Sequence, residues 1–251
     1  MNILQSALSG SILLIVILFT LFFILRSSEN KQDIFWIFII GAAGWIIALL
    51  LRIMPLNLIN SSLNDGLLKG FINASFAGVF EEILRFIFIL LFKPIQKDRK
   101  RGPLTLGLGW TSAEIGYLFF FAVIPGITGE LIPWSVASLF LVERLTVSFF
   151  HIAMSFIVFS AIYEKWPWKF GLYLAIILHF AIDFLIPLWS LVFFPDLVIT
   201  NIILFYWSLE LAFLFFTILI VLFTIFIWTP YYTKKIPLEG ETYAHYEPEN
   251  S

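Results

Sequence analysis

Glu81, Glu82 and Arg85 stand in the middle of an apolar run that extends from Phe71 to Phe92. A charge at bilayer depth costs at least about 2.5 to 3.5 kcal/mol on insertion scales, so three within five residues do not face lipid. They must face a protein interior, and whatever the chain folds into has to supply their partners. On a helix Glu81 and Arg85 are i, i+4 and Glu82 and Arg85 are i, i+3, so the guanidinium neutralises one carboxylate and leaves the other for chemistry.

Composition agrees with the depth argument. The 251 residues are 61% hydrophobic and 13% charged, where soluble domains are nearer half and a quarter, and mean hydropathy is +0.97. At about 20 apolar residues per span, the chain reads as an all-α polytopic membrane protein with seven transmembrane helices, near residues 4–25, 34–53, 71–92, 104–124, 135–162, 169–194 and 199–228. Residues 1–230 form one helical domain in the bilayer, and 231–251 a polar tail. Pro55 to Gly70, with Asn60-Ser61-Ser62 and Asp65-Gly66, reads as an outer loop or a short interfacial helix. No Lys or Arg precedes the first apolar run, so that run is expected to span and not to be cleaved. Cysteine is absent, which excludes disulfides and thiolate ligands or nucleophiles. Nothing points to nucleic acid.

Alternation of the spans sorts the basic residues into two sets. Arg26, Lys31, Lys93, Lys97, Arg99, Lys100, Arg101, Lys165, Lys169, Lys234 and Lys235 fall on one side, while Arg52 and Lys69 fall on the other. With Arg85 and Arg144 inside spans, eleven of the fifteen lie on the first side. By the positive-inside rule the 93–103 loop and the C-terminus are cytoplasmic and the N-terminus is outside, in a multi-pass protein of the cell membrane.

The remaining ionisable residues inside spans fall at similar depth. Glu114 lies on the fourth span, Glu143, Arg144 and His151 on the fifth, His179 and Asp183 on the sixth, and Glu210 on the seventh. His179 is ten residues in from Lys169, or roughly 15 Å at 1.5 Å per residue, near the middle of a core about 30 Å thick. His179 and Asp183, at i, i+4, share a face, so the carboxylate orients the imidazole or joins it as a ligand. Arg144 and His151 share another face, and Glu143 points elsewhere. Trp110 and Glu114 are i, i+4 within Gly107-Leu108-Gly109-Trp110-Thr111-Ser112-Ala113-Glu114, whose small residues allow close helix contact. A carboxylate and an imidazole in a dry cavity can activate water against an amide carbonyl. The same groups, Glu81, His151 and His179, are alternatively expected to hold a divalent metal such as zinc. Neither His-Glu-x-x-His nor Gly-x-Ser-x-Gly occurs.

On Glu81-Glu82-Ile83-Leu84-Arg85, Trp110-x-x-x-Glu114, Glu143-Arg144 followed by His151, and His179-Phe180-Ala181-Ile182-Asp183, the chain resembles the intramembrane peptidases that include the CAAX prenyl endopeptidases and the PrsW and YhfC families. The two-residue spacing between Glu82 and Arg85 is that of the PrsW and YhfC branches, and the arrangement is most similar to YhfC. Trp110 stands where a YhfC-like sequence is expected to carry a histidine. The resemblance covers residues 71 to 190. It implies that Glu81 is the general base, that His151 assists, and that His179 and Asp183 bind the oxyanion or a metal. The expected partner is a membrane-embedded or membrane-associated peptide substrate. Two rival readings use the same residues: a non-catalytic membrane scaffold of the same fold, and a proton-coupled transporter. Glu210, without a partner in the sequence, is read as structural.

Overall fold

A computed structural model describes residues 2–127, 134–163, 168–193 and 202–233. Its regular structure is all helical, with no strand among the described residues: α1 Asn2–Ser27, α2 Lys31–Ser61, α3 Gly66–Leu91, α4 Lys93–Lys97, α5 Arg101–Ile127, α6 Trp134–Tyr163, α7 Trp168–Phe193 and α8 Ile202–Thr233. Four of these, α2, α6, α7 and α8, contain stretches long and apolar enough to cross a membrane. Lys165, Lys234, Lys235 and the tail after Thr233, including His245, lie outside the described residues.

Short polar side chains set the helix ends. The Asn30 side chain accepts from the backbone of Asp33 at 3.3 Å to open α2, and Asp65 accepts from Leu67 and Leu68 at 2.8 and 3.1 Å to open α3, satisfying amides that a helix start leaves orphaned. Asp98 does the same for α5 through Lys100 and Arg101, at 3.1 and 2.9 Å. At the far end of α3, Gln96 on α4 donates to the carbonyls of Ile89 and Leu90 at 2.9 and 3.0 Å. The loop expected over 93–103 therefore contains a helical turn whose glutamine closes the preceding helix.

The segment from Pro55 to Gly70 departs from the loop expected there. Helix α2 continues through Pro55 to Ser61, and Gly66 already begins α3. Its polar residues act as joints between helices, with Asn60 donating to Asn73 at 2.9 Å and Asp65 capping. This extension moves Arg52 from the outer loop to a position inside α2, nine residues before its end. Only Lys69 then remains on that side of the basic-residue division, and it too lies within a helix.

Helix α6 is central, in contact with α1, α3, α5, α7 and α8, and its Phe150, Met154, Val158 and Phe159 are almost wholly buried in the main core. Apolar side chains on the periphery stay exposed, as Phe226 (76%) and Met54 (73%) illustrate, which suits helices surrounded by hydrocarbon chains. Two glycines set the approach of the helices that carry the polar residues. At Gly78 on α3, a methyl group would sit 2.8 Å from the Ile176 carbonyl oxygen of α7. At Gly107 on α5 it would sit 2.7 Å from Ile152 Cα and 3.0 Å from the His151 carbonyl oxygen of α6. Small residues at these crossings let backbones touch, bringing the carboxylate-bearing helices against the histidine-bearing ones.

Gly78→Ala therefore forces α3 and α7 apart, at an overpacking cost of about 1–3 kcal/mol, and lowers the thermal midpoint of the detergent-solubilised protein by about 2–4 °C per kcal/mol. Gly116→Ala, where a methyl meets nothing within 4 Å, leaves that midpoint unchanged or slightly raised.

Candidate active site

The polar side chains of α2, α3, α5, α6 and α7 gather around a cavity of about 130 Å³, whose walls include Arg52, Glu81, Glu114, Glu143, Arg144, His151, His179 and Asp183. The common depth read from the sequence is thus a common place. Glu82 and Arg85 lie just behind the wall, both fully buried.

Glu82 is the carboxylate that Arg85 neutralises, at 3.5 Å one turn away. It also meets His179 Nδ1 at 2.6 Å. A carboxylate can only accept, so Nδ1 carries the proton and Nε2 is turned toward the cavity. Glu82, and not Asp183, orients this ring: His179 Nε2 is 3.8 Å from Asp183 Oδ2 and 3.8 Å from Glu81 Oε2. That separation exceeds a hydrogen bond, yet one water can lie roughly 2.8 Å from both atoms of either pair.

Glu81 has partners that the sequence reading did not assign to it. Arg52 donates to its Oε1 at 2.8 Å, and Trp110 Nε1 donates to its Oε2 at 2.8 Å. Trp110 also lies under the Arg85 guanidinium, 4.5 Å from ring centroid to Cζ, a cation–π contact between two fully buried side chains. The signal for Arg52 was present as an arginine at the edge of an apolar run, hidden by the placement of the helix end. The signal for Trp110 was its i, i+4 relation to Glu114, which puts the indole and that carboxylate on one face of α5.

His151 has neither ring nitrogen free. Nε2 donates to Glu114 Oε2 at 2.6 Å, and Nδ1 accepts from Arg85 at 3.1 Å, while the same guanidinium donates to the His151 carbonyl at 3.2 Å. An arginine has no lone pair to offer, so Nδ1 is unprotonated and the ring is neutral. The ring on which an assisting role is expected thus links α6 to Glu114 of α5 and to Arg85 of α3. Glu114 is completed by Arg144 at 2.5 Å, and Arg144 also pairs with Glu143. Glu143 therefore joins the cluster, contrary to the expectation that it points away, because its neighbour's long side chain reaches both carboxylates. Glu210 on α8 is buried, and its Oε2 has no hydrogen-bond partner among the described residues.

The metal expected on Glu81, His151 and His179 does not fit this donor set. Both nitrogens of His151 are engaged, a guanidinium occupies one oxygen of Glu81, and no group of three His, Asp or Glu side chains among the described residues is arranged to hold an ion. Comparison of the chain with protein-family models, with curated proteins and with solved structures finds no match.

Removing Arg85 should expose how tightly these charges depend on one another. Arg85→Met strands Glu82 in the interior, a loss of about 3–5 kcal/mol. The double variant Glu82→Met/Arg85→Met loses less than the sum of the two single changes, measured by unfolding in mixed detergent micelles.

Proposed function

We propose that this chain is an intramembrane endopeptidase that hydrolyses a peptide bond of a membrane-associated substrate with a water activated between Glu81 and His179. The observation that carries this reading is the 3.8 Å separation of His179 Nε2 from both Glu81 Oε2 and Asp183 Oδ2, on the wall of a cavity between the helices. In this mechanism the water gives one proton to His179 Nε2 while its other hydrogen is held by Glu81. The oxygen bonds to the carbonyl carbon, and Glu82 on Nδ1 stabilises the imidazolium that forms. Arg52, beside Glu81, is the donor placed for the oxyanion. Collapse of the tetrahedral intermediate breaks the C–N bond, and the proton on His179 passes to the leaving amine. The resemblance to the YhfC and PrsW families supports the same reaction class.

A scaffold reading is favoured by a different observation. The charged groups of α3, α5 and α6 that reach the cluster are nearly all paired, and about 130 Å³ holds only about four waters at roughly 30 Å³ each. A peptide enters only if helices part. Comparing protein N-termini across the membrane proteome of cells expressing the wild type and Glu81→Gln separates the two readings. New termini that vanish in the variant identify a protease and its substrate; identical termini, with both proteins folded and equally abundant, leave the scaffold.

The proposed setting is a seven-span protein of the cell membrane, with the α1 N-terminus outside and α4 and the C-terminus in the cytoplasm. The chain contains no cysteine, so single replacements report topology directly. A membrane-impermeant maleimide applied to intact cells labels Ser62→Cys and spares Lys97→Cys until the membrane is opened. The reverse pattern inverts the orientation.

A further inference from the structure

The wall of the polar cavity is closed on one side and open on another. Along one face of α7 the lining residues become steadily more exposed, from 4% for the His179 side chain to 38% for Asp183 and 45% for Ile186. Along α6 exposure rises from 3% at the His151 side chain to 30% at Glu143. The two helices are antiparallel, with Gly171 facing Ala161 and His179 facing Phe150, so both gradients point toward the end of the bundle where α6 begins and α7 finishes. The α2–α3 joint lies at the same end, since a methyl on Gly70 would meet Pro187 of α7 at 2.6 Å. Arg52 stands on that side of the cavity too, nine residues before the end of α2. The opposite end is plugged. Beyond the site toward α4, Ile89, Ile95, Leu106, Val158 and Ala175, one from each of α3 to α7, are 0% exposed in a single apolar cluster.

A carboxylate is strongly disfavoured against hydrocarbon chains, so the exposed sides of Asp183 and Glu143 are in water. That water does not arrive through the α4 end, where it would have to cross a close-packed apolar layer. We infer that the cavity is entered from the membrane face that carries the α2–α3 joint, through a mouth with Arg52, Glu143, Asp183 and Ile186 on its rim. Taken with the peptidase reading, on which this second part rests, the substrate is a polypeptide that reaches Glu81 and His179 from the same face. The bond it loses then lies in its segment on that side or in the adjoining half of the bilayer, and not in a segment on the α4 side. The entrance itself does not require catalysis, since a scaffold with the same walls would be wetted from the same face.

The test uses the full-length, cysteine-free protein with single replacements: Ile186→Cys and Val147→Cys on the cavity wall, Val158→Cys in the plug, and Ser62→Cys and Lys97→Cys to mark the two faces. Each is treated with a charged, membrane-impermeant methanethiosulfonate in intact cells and in inside-out vesicles. A thiol sealed in apolar surroundings is inert, so both wall variants are expected to react at least about tenfold faster from the Ser62 face than from the other, and Val158→Cys from neither. Val147→Cys is the sharper probe, because Val147 is nearly buried and borders the cavity. Phe213→Cys, on the α8 wall, replaces a wall variant that does not elute as a monodisperse folded protein. Reaction of the wall thiols chiefly from the Lys97 face, reaction of Val158→Cys from that face, or no reaction of folded wall variants from either face would each overturn the entrance. Termini that depend on Glu81 are expected in substrate segments on the Ser62 face, and termini confined to the Lys97 face would overturn the substrate assignment. Labelling as expected with no such termini sinks the peptidase reading and leaves the entrance standing.

Discussion

Two hydrogen bonds of 2.6 Å, from His179 to Glu82 and from His151 to Glu114, hold the polar interior of this bundle together. Each joins a helix that carries carboxylates to one that carries an imidazole, where an unsatisfied charge would cost several kcal/mol. Arg85 links the two bonds, touching Glu82 on its own helix and both the ring and the carbonyl of His151. Breaking either bond strands a buried group on both sides, so the registers of α3, α5, α6 and α7 are fixed as one unit. Gly78 and Gly107 make the bonds possible by letting the backbones close to contact.

The network divides into a closed half and an open half. Glu82, Arg85, His151 and Glu114 have their donors and acceptors largely committed to one another, and their work is to orient. Glu81, His179 Nε2, Asp183 and Arg52 face the cavity, where His179 Nε2 stands 3.8 Å from both Glu81 Oε2 and Asp183 Oδ2. In the proposed reaction the base is therefore His179 Nε2, since both oxygens of Glu81 accept from Arg52 and Trp110 and a lone pair already shared with a strong donor is a poor base. The same division explains why the two histidines differ. They are chemically identical and their ring centroids are 5.7 Å apart, but one is satisfied at both nitrogens and the other at one.

Much of this was legible in the residues. Charges inside apolar runs identify the inward faces of their helices, because lipid tolerates no alternative, and Glu81, Glu82, Arg85, Glu114, Arg144, His151 and His179 were found in that way. Helical spacing put both Glu81 and Glu82 within reach of Arg85, and the structure gives the arginine to Glu82. What spacing does not carry is contact between helices. Asp183 has the i, i+4 relation to His179, yet Glu82, 97 residues away in the chain, takes the ring nitrogen. Arg52 was misplaced because Pro55 and the asparagines and serines after it mimic a loop, when in a long helix a proline costs one backbone bond and the polar residues serve as joints. The seven long helices among the described residues lie close to the seven apolar runs, since hydrophobic length is a one-dimensional property that the chain displays directly.

The distance along the chain between Glu82 and His179 also bears on how the molecule is made. Helix α3 leaves the ribosome with two carboxylates and a guanidinium that have no partners on α1, and only Arg52 is available from α2. The imidazole that donates to Glu82 follows 97 residues later, about 5–20 s at ordinary rates of synthesis. In the proposed seven-span arrangement α3 is during that interval a poor guest of the bilayer, best held at the insertion machinery or near the headgroups until α5, α6 and α7 arrive. The last partners to be translated thus complete the burial of the first charged helix, and a ribosome stalled before His179 would leave an inserted but unfinished protein for quality control to remove.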